Sequence, residues 1–247
     1  MRMMIKVIGL VLAVLAGTAR ADAPKLDLKR TMVIDGVIMG GNLGKVQDAM
    51  DNFAKSADKS PVHLIINSPG GSVTSGFLFL NHVNAMKAQG IELRCYVPDV
   101  AASMAFQILL HCDKRFVLTR SFLLWHRVRV SSGGLFGSPI TAPQAKYLAI
   151  TLQKLDTFIF REVTEAMSEV SRSVLRYHFE NETLHLGYDV ASMAPRAFQS
   201  YDYIPGLFDA LKNDKLPRTE QLFFFGRANS EEIIYQTTKV DYVEDNN

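Results

Sequence analysis

Two short segments put chemically capable residues where a strand gives way to a helix. In Asn67-Ser68-Pro69-Gly70-Gly71-Ser72-Val73 an apolar run ends, a turn follows and a helical pattern begins. Backbone N–H groups at a helix start lack intrahelical partners. Glycines such as Gly70 and Gly71 let a substrate come close to the backbone. A pair of N–H groups there can stabilise an oxyanion. Gly70 and Ser72 are therefore candidate substrate-binding positions. The second segment is Ala101-Ala102-Ser103-Met104-Ala105, where small residues leave room around a serine hydroxyl. Taken alone, Ser103 reads more readily as a helix N-cap than as a nucleophile, and the first segment reads equally as a glycine-rich turn. His126 follows the apolar run Phe122-Leu123-Leu124-Trp125. A lone histidine at a strand end is usually structural. A serine and a histidine at successive strand ends can, however, share the carboxyl edge of one parallel sheet, where ligands bind.

The elements that would hold these residues follow from hydrophobic patterning. Val62–Asn67 is a short apolar run bounded by turn residues and reads as a buried strand. Val73–Gln89 reads as a helix, ended by Gly90. The unit then repeats: Ile91–Val97 as strand, Pro98–Ser103 as loop, Met104–Leu110 as apolar helix. Two short strands follow, at Arg115–Leu118 and Phe122–Trp125. Upstream, residues 27–39 read as strand and 43–57 as helix. This alternation predicts an α/β fold with parallel pairing and helical crossovers. Residues 128–143 are rich in glycine and serine and read as loop. Residues 141–169 carry a long amphipathic pattern and should form a helix that projects from the body or packs on another subunit. A shorter helix is expected over Ser171–Phe179, and strands over Leu222–Phe225 and Glu232–Tyr235.

Composition narrows the function classes. The chain has 247 residues, is 48% hydrophobic and 21% charged, and carries a net charge of +2. No basic stripe interleaved with aromatics is present, so a nucleic-acid partner is not expected. No histidine pair has metal-ligand spacing with a carboxylate, so neither metal nor other cofactor is expected. The first residues form a three-part secretory pattern: Arg2 and Lys6, an apolar run from Val7 to Ala16, then Ala19-Arg20-Ala21. The run is too short for a bilayer span. Cleavage after Ala21 and a periplasmic or secreted location are expected, with no stable membrane span. Export lets Cys95 and Cys112 pair. Cys95 starts the strand entering Ser103 and Cys112 ends the helix leaving it. With strand and helix nearly equal in length, a disulfide behind Ser103 is expected.

Together the Ser-Pro-Gly-Gly turn, the Ala101-Ala102-Ser103-Met104 segment and the run ending in Trp125-His126 resemble the proteolytic subunit of the Clp protease. The three motifs occur in that family's order with similar gaps, and the likeness covers residues 31 to 130 well. Gly206-Leu207-Phe208-Asp209 resembles the family's Gly-Leu-Ile-Asp core ending. The resemblance implies a ClpP/crotonase-like fold of stacked ββα units, with residues 141–169 as a projecting handle. It implies Ser103 as nucleophile, His126 as general base, and the N–H groups of Gly71 and Met104 as oxyanion hole. In the family an Asp lies shortly before a Ser-Ala-x-x-Ala segment. Asp189 stands at matching distance before Met193-Ala194-Pro195-Arg196-Ala197 and is expected as the orienting acid. Glu182 is the alternative, because the stretch from Ser168 to Asp189 departs from the family pattern.

The expected organisation is a signal peptide over residues 1–21, a peptidase domain over 22–212, and an extension of unknown role over 213–247. The expected activity is serine endopeptidase, acting on peptides or unfolded chains. The resemblance implies a homo-oligomer, with a ring as one form. A Clp ATPase partner is not expected outside the cytoplasm, where there is no ATP supply. Two other readings remain: a catalytically inactive binding module on the same fold, and another acyl hydrolase of the superfamily.

Overall fold

Alternate residues of the central strands bury their side chains on opposite faces, and both faces are covered. The computed structural model describes residues 23–129 and 141–220. Its strands are Thr31–Asp35 (β1), Val62–Asn67 (β2), Leu93–Val97 (β3), Val100–Ala102 (β4), Lys114–Leu118 (β5), Phe122–Leu124 (β6), His185–Leu186 (β7) and Gln199–Tyr201 (β8). Its helices are Gly44–Lys55 (α1), Val73–Ala88 (α2), Met104–Leu110 (α3), Ala142–Ala166 (α4), Arg172–Asn181 (α5), Gly187–Met193 (α6) and Leu207–Leu211 (α7). A five-stranded parallel sheet runs in the order β1-β2-β3-β5-β8. On one face Met32, Ile34, Leu64, Ile66, Cys95 and Val97 join the main core. On the other, Val33, Ile65, Tyr96, Phe116 and Leu118 pack with Tyr201, Ile204 and Leu207. Burial on both faces explains why these strands read as unbroken apolar runs. This is the α/β architecture with a parallel sheet that the alternation of elements predicts.

Residues 98–103, expected as loop, contain β4. It pairs in parallel with β6 in a second, three-stranded sheet ordered β4-β6-β7, and β7 is antiparallel to β6. Three residues after a proline carry little strand signal of their own. Their hydrogen bonds come from β6, about twenty positions downstream. The body also continues beyond residue 212. Val33 N–H donates to Pro217 O (2.9 Å) and Thr219 N–H to Val33 O (3.1 Å), so this segment extends the sheet beside β1. Leu216 is buried against the second core cluster, and Arg218 pairs with Asp35 at 2.8 Å. The signal-peptide residues and both strands expected after residue 221 lie outside the described residues.

Cys95 of β3 and Cys112 just after α3 form a disulfide, with their Cα atoms 5.9 Å apart. The bridge ties the strand entering the Ser103 segment to the helix leaving it. A loop of this length contributes on the order of 3 kcal/mol by limiting the unfolded chain. Arg115 secures the same helix end: its guanidinium donates to Leu109 O (3.0 Å), Leu110 O and Ala197 O (3.2 Å). Such a cation at a helix C-terminus satisfies carbonyls that have no intrahelical partner.

At the start of the long helix α4, Gln144 Oε1 accepts from Thr141 N–H (2.8 Å) and from its hydroxyl (3.0 Å), and Pro143 lies in the first turn. Its base is fixed to the body. Ile159, Phe160 and Val163 are buried, and Glu162 contacts His111 Nε2 at 2.9 Å. Its first half leaves Tyr147 and Ile150 exposed, with Phe158 exposed near the base. Among the described residues no helix is long and apolar enough to cross a membrane.

Candidate active site

Three chain segments meet at one cavity because β-bridges hold them in register. Ser68 N–H donates to Val100 O (2.8 Å) and Ala102 N–H to Ser68 O (3.0 Å), which sets the Gly70-Gly71 turn against β4. Ser103 N–H then donates to Leu124 O (2.9 Å), which ties the serine to β6 two residues before His126. Trp125, between them, is fully buried. It stacks on His185 with centroids 4.6 Å apart and on Phe106 at 5.1 Å. This anchor fixes where the chain places His126.

Ser103 has φ 55° and ψ −122°, outside the usual region for a side-chain-bearing residue. Although it precedes α3, its side chain makes no capping hydrogen bond. The N-cap reading of this serine is therefore not met. A strained strand-to-helix turn that lifts a serine hydroxyl clear is how a nucleophile elbow works.

Gly70 has φ 97°. A Cβ there would lie 2.7 Å from the Ser103 Cβ and 2.9 Å from Met104 N. Gly71, at φ 144°, has the Ile38 carbonyl where a Cβ would go. Only glycine lets this turn press against the serine. Among the described residues, the N–H groups of Gly71 and Met104 have no hydrogen-bond acceptor. Gly70 and Ser72 are differently occupied. Gly70 N–H donates to Ser68 Oγ (3.0 Å). Ser72 N–H donates to Ile38 O, and Ser72 Oγ accepts from Ser75 N–H at the start of α2. Both shape the turn, whereas Gly71 faces the cavity.

Gly71, Ser103, Met104 and His126 line one cavity of about 330 Å³, together with Gln107 and Ile159. Among the described residues no hydrogen bond joins Ser103 to His126. Serine–histidine contacts are often long until substrate arrives. Burial pushes the His126 imidazole below its ordinary pKa of 6.5, and the Arg129 guanidinium adds to the shift. The backbone at Arg127 and the Asp156 carboxylate oppose it. His126 is thus held neutral, the form that can accept a proton.

Asp189 is not beside His126 among the contacts of the described residues. It sits in the first turn of α6, where its Oδ2 accepts from Leu186 N–H at 3.3 Å. The carboxylate facing His126 is that of Glu182, with Oε1 3.9 Å from Nδ1. That separation is an ion-pair distance, too long for a hydrogen bond, and buried Nδ1 has no partner. Glu182 instead accepts from Arg129 Nε at 3.0 Å, and its second oxygen contacts the same guanidinium. Glu182 ends α5 in the left-handed conformation, at φ 50° and ψ 44°. Asp156, which sequence reasoning passed over, adds a further negative charge near His126 while its Oδ1 accepts from Val128 N–H at 2.7 Å. No grouping of three or more His, Cys, Asp or Glu that could hold a metal occurs among the described residues.

Comparison with known proteins places this chain in a family. The chain is 27% identical over 187 residues to the ATP-dependent Clp protease proteolytic subunit of Streptococcus pneumoniae (strain 70585). The match covers 71% of this chain and 92% of the relative. The same figures hold for that subunit from Streptococcus mutans serotype c, and 26% identity at the same coverage for that from Streptococcus pyogenes serotype M5. The family model for Clp protease matches residues 20–186, a span that contains Ser103, His126 and Glu182 and ends before Asp189. With more than half of its length matched, the chain belongs to the Clp protease family.

Proposed function

We propose that this chain is an exported serine peptidase that hydrolyses peptides or unfolded polypeptides without a nucleotide-driven partner. The observation that carries the reading is the uncapped, strained Ser103 sharing one cavity with neutral His126 and two unpaired N–H groups. Ser103 Oγ attacks the substrate carbonyl carbon as His126 takes its proton. The carbonyl oxygen, now negative, lies between the N–H groups of Gly71 and Met104. As the C–N bond breaks, His126 passes the proton to the leaving amine, and water then hydrolyses the ester on Ser103 by the same route. Glu182, 3.9 Å from Nδ1, serves as the carboxylate that balances the charge of protonated His126.

Export is supported by the three-part pattern of residues 1–21 and by the Cys95–Cys112 bridge, which suits an oxidising compartment. Self-association is supported by Tyr147, Ile150 and Phe158, large apolar side chains left exposed along α4. One observation favours the inactive binding module: Glu182 is engaged by Arg129 while His126 Nδ1 has no partner.

The test takes protein purified from the exported fraction and separates it by gel filtration. It then assays a fluorogenic unfolded polypeptide with no nucleotide present. The expected result is a chain starting at Asp22, eluting above monomer size and cleaving the substrate. A folded, exported protein with no turnover would support the binding module instead.

The pH profile follows from His126. Neutral imidazole is the active base, and burial lowers its pKa. Turnover should therefore rise with pH through a midpoint below 6.5. A midpoint above 6.5 would contradict the buried-base geometry. Circular dichroism must accompany the titration. Burial also lowers His63 and His185 to about 4. The unfolded chain binds these protons more readily, so stability falls as pH drops from 6.5 towards 4.

A further inference from the structure

The cavity beside Ser103 has apolar walls from Val73, Met104 and Ile159, and besides Ser103 and His126 it has one uncharged polar side chain, Gln107. Gln107 lies one turn beyond Ser103 on α3, and its backbone is fixed. Its N–H donates to Ser103 O (3.1 Å), and its carbonyl meets His111 Nδ1 at 2.9 Å. The residue is only 3% exposed, its side-chain amide makes no hydrogen bond among the described residues, and neither amide atom is among the fully buried polar atoms that lack a partner. The amide therefore keeps access to the cavity that the residue lines, and once a ligand covers it, it needs a partner. Here the amide borders the cavity, so a partner can be supplied by whatever occupies that space. The nearby charges, Arg127 and Arg129, line the same cavity alongside His126.

We propose that Gln107 is the specificity-determining residue of this peptidase, selecting glutamine as the residue whose carbonyl Ser103 attacks. The proposal rests on the peptidase reading above. A primary amide both donates and accepts, so it pairs with a second primary amide through two hydrogen bonds. The apolar walls accept the methylene stem of a glutamine side chain. Four residues of helix rise separate Ser103 from Gln107 by about 6 Å, which suits glutamine better than a short polar side chain. Methionine matches glutamine in length but leaves the Gln107 amide buried and unpaired, which disfavours it. Lysine would bring an ammonium group into a cavity already bordered by two guanidinium groups.

The test is a series of fluorogenic tripeptides that differ only in the residue before the cleaved bond: Gln, Met, Leu, Glu or Lys. The mature chain should cleave the Gln substrate with kcat/KM about tenfold above that for Met. Gln107→Leu should reverse that order, with Met and Leu substrates overtaking Gln. A wild-type preference for Met or Leu overturns the proposal, as does a preference for Glu, which would point to Arg127 and Arg129. The wild-type ranking decides the matter even if the variant fails to fold. Reaction of the wild type with a fluorophosphonate separates the two levels. Labelling without a Gln preference overturns the role of Gln107 alone, whereas absence of labelling overturns the peptidase reading and this proposal with it.

Discussion

Ser103→Ala is expected to lower kcat/KM for the fluorogenic polypeptide by on the order of 10⁴-fold or more, and His126→Ala by a similar factor. The double variant should be no slower than either single one, because the two side chains act as a unit in one proton transfer. The structure gives reasons to expect an effect on chemistry and not on folding. The Ser103 side chain makes no capping bond whose loss would cost stability. His126 Nδ1 has no hydrogen bond to lose. Thermal unfolding of the single variants should therefore stay close to that of the parent. Residual turnover should come from the Gly71 and Met104 N–H groups, which neither variant removes. If the two losses multiplied in the double variant, Ser103 and His126 would be acting independently and the proposed mechanism would fail.

The second large effect distinguishes two carboxylates. Glu182→Gln should reduce kcat by on the order of 10²-fold or more, since it removes the charge that compensates a protonated His126. Asp189→Asn should change kcat by no more than a few-fold, because an amide oxygen can still accept from Leu186 N–H. Arg129 holds Glu182 through its guanidinium. Steady-state kinetics at pH 7, with folding checked by circular dichroism, reads both variants. The opposite ranking, a collapse with Asp189→Asn and little change with Glu182→Gln, would restore Asp189 as the acid. It would also require α6 to sit differently against His126.

How far sequence reasoning reached depended on how local the determinants were. The Gly70-Gly71 turn and the Ser103 turn each lie between a strand and a helix. Both boundaries are written in adjacent residues, and the helices Val73–Ala88 and Met104–Leu110 begin where patterning places them. The disulfide was legible for a related reason: a strand and a helix of similar length return Cys112 close to Cys95. β4 was hidden because three residues have no period of their own and find their partner in β6. Residues 216–219 were hidden because their places against Val33 and Asp35 are set by contacts more than 180 positions away.

The carboxylate beside His126 was the hardest to read. Motif spacing favours Asp189, but the side chain beside His126 is determined by how α5 ends. Glu182 takes a left-handed conformation there, which sequence favours at glycine or asparagine. That turn directs its carboxylate towards His126 and Arg129, while the next element uses Asp189 to begin α6. Gln107 gave no sequence signal beyond a polar residue within an apolar helix. Its meaning depends on the cavity that α2, α3 and α4 enclose.

The most direct test of the central claim is covalent. Folded wild-type protein is incubated with a fluorophosphonate, digested, and its peptides are read by mass spectrometry. The account predicts a single phosphonyl adduct on Ser103, absent in Ser103→Ala and formed much more slowly in His126→Ala. A folded protein that carries no adduct, or carries it on another serine, would contradict the account.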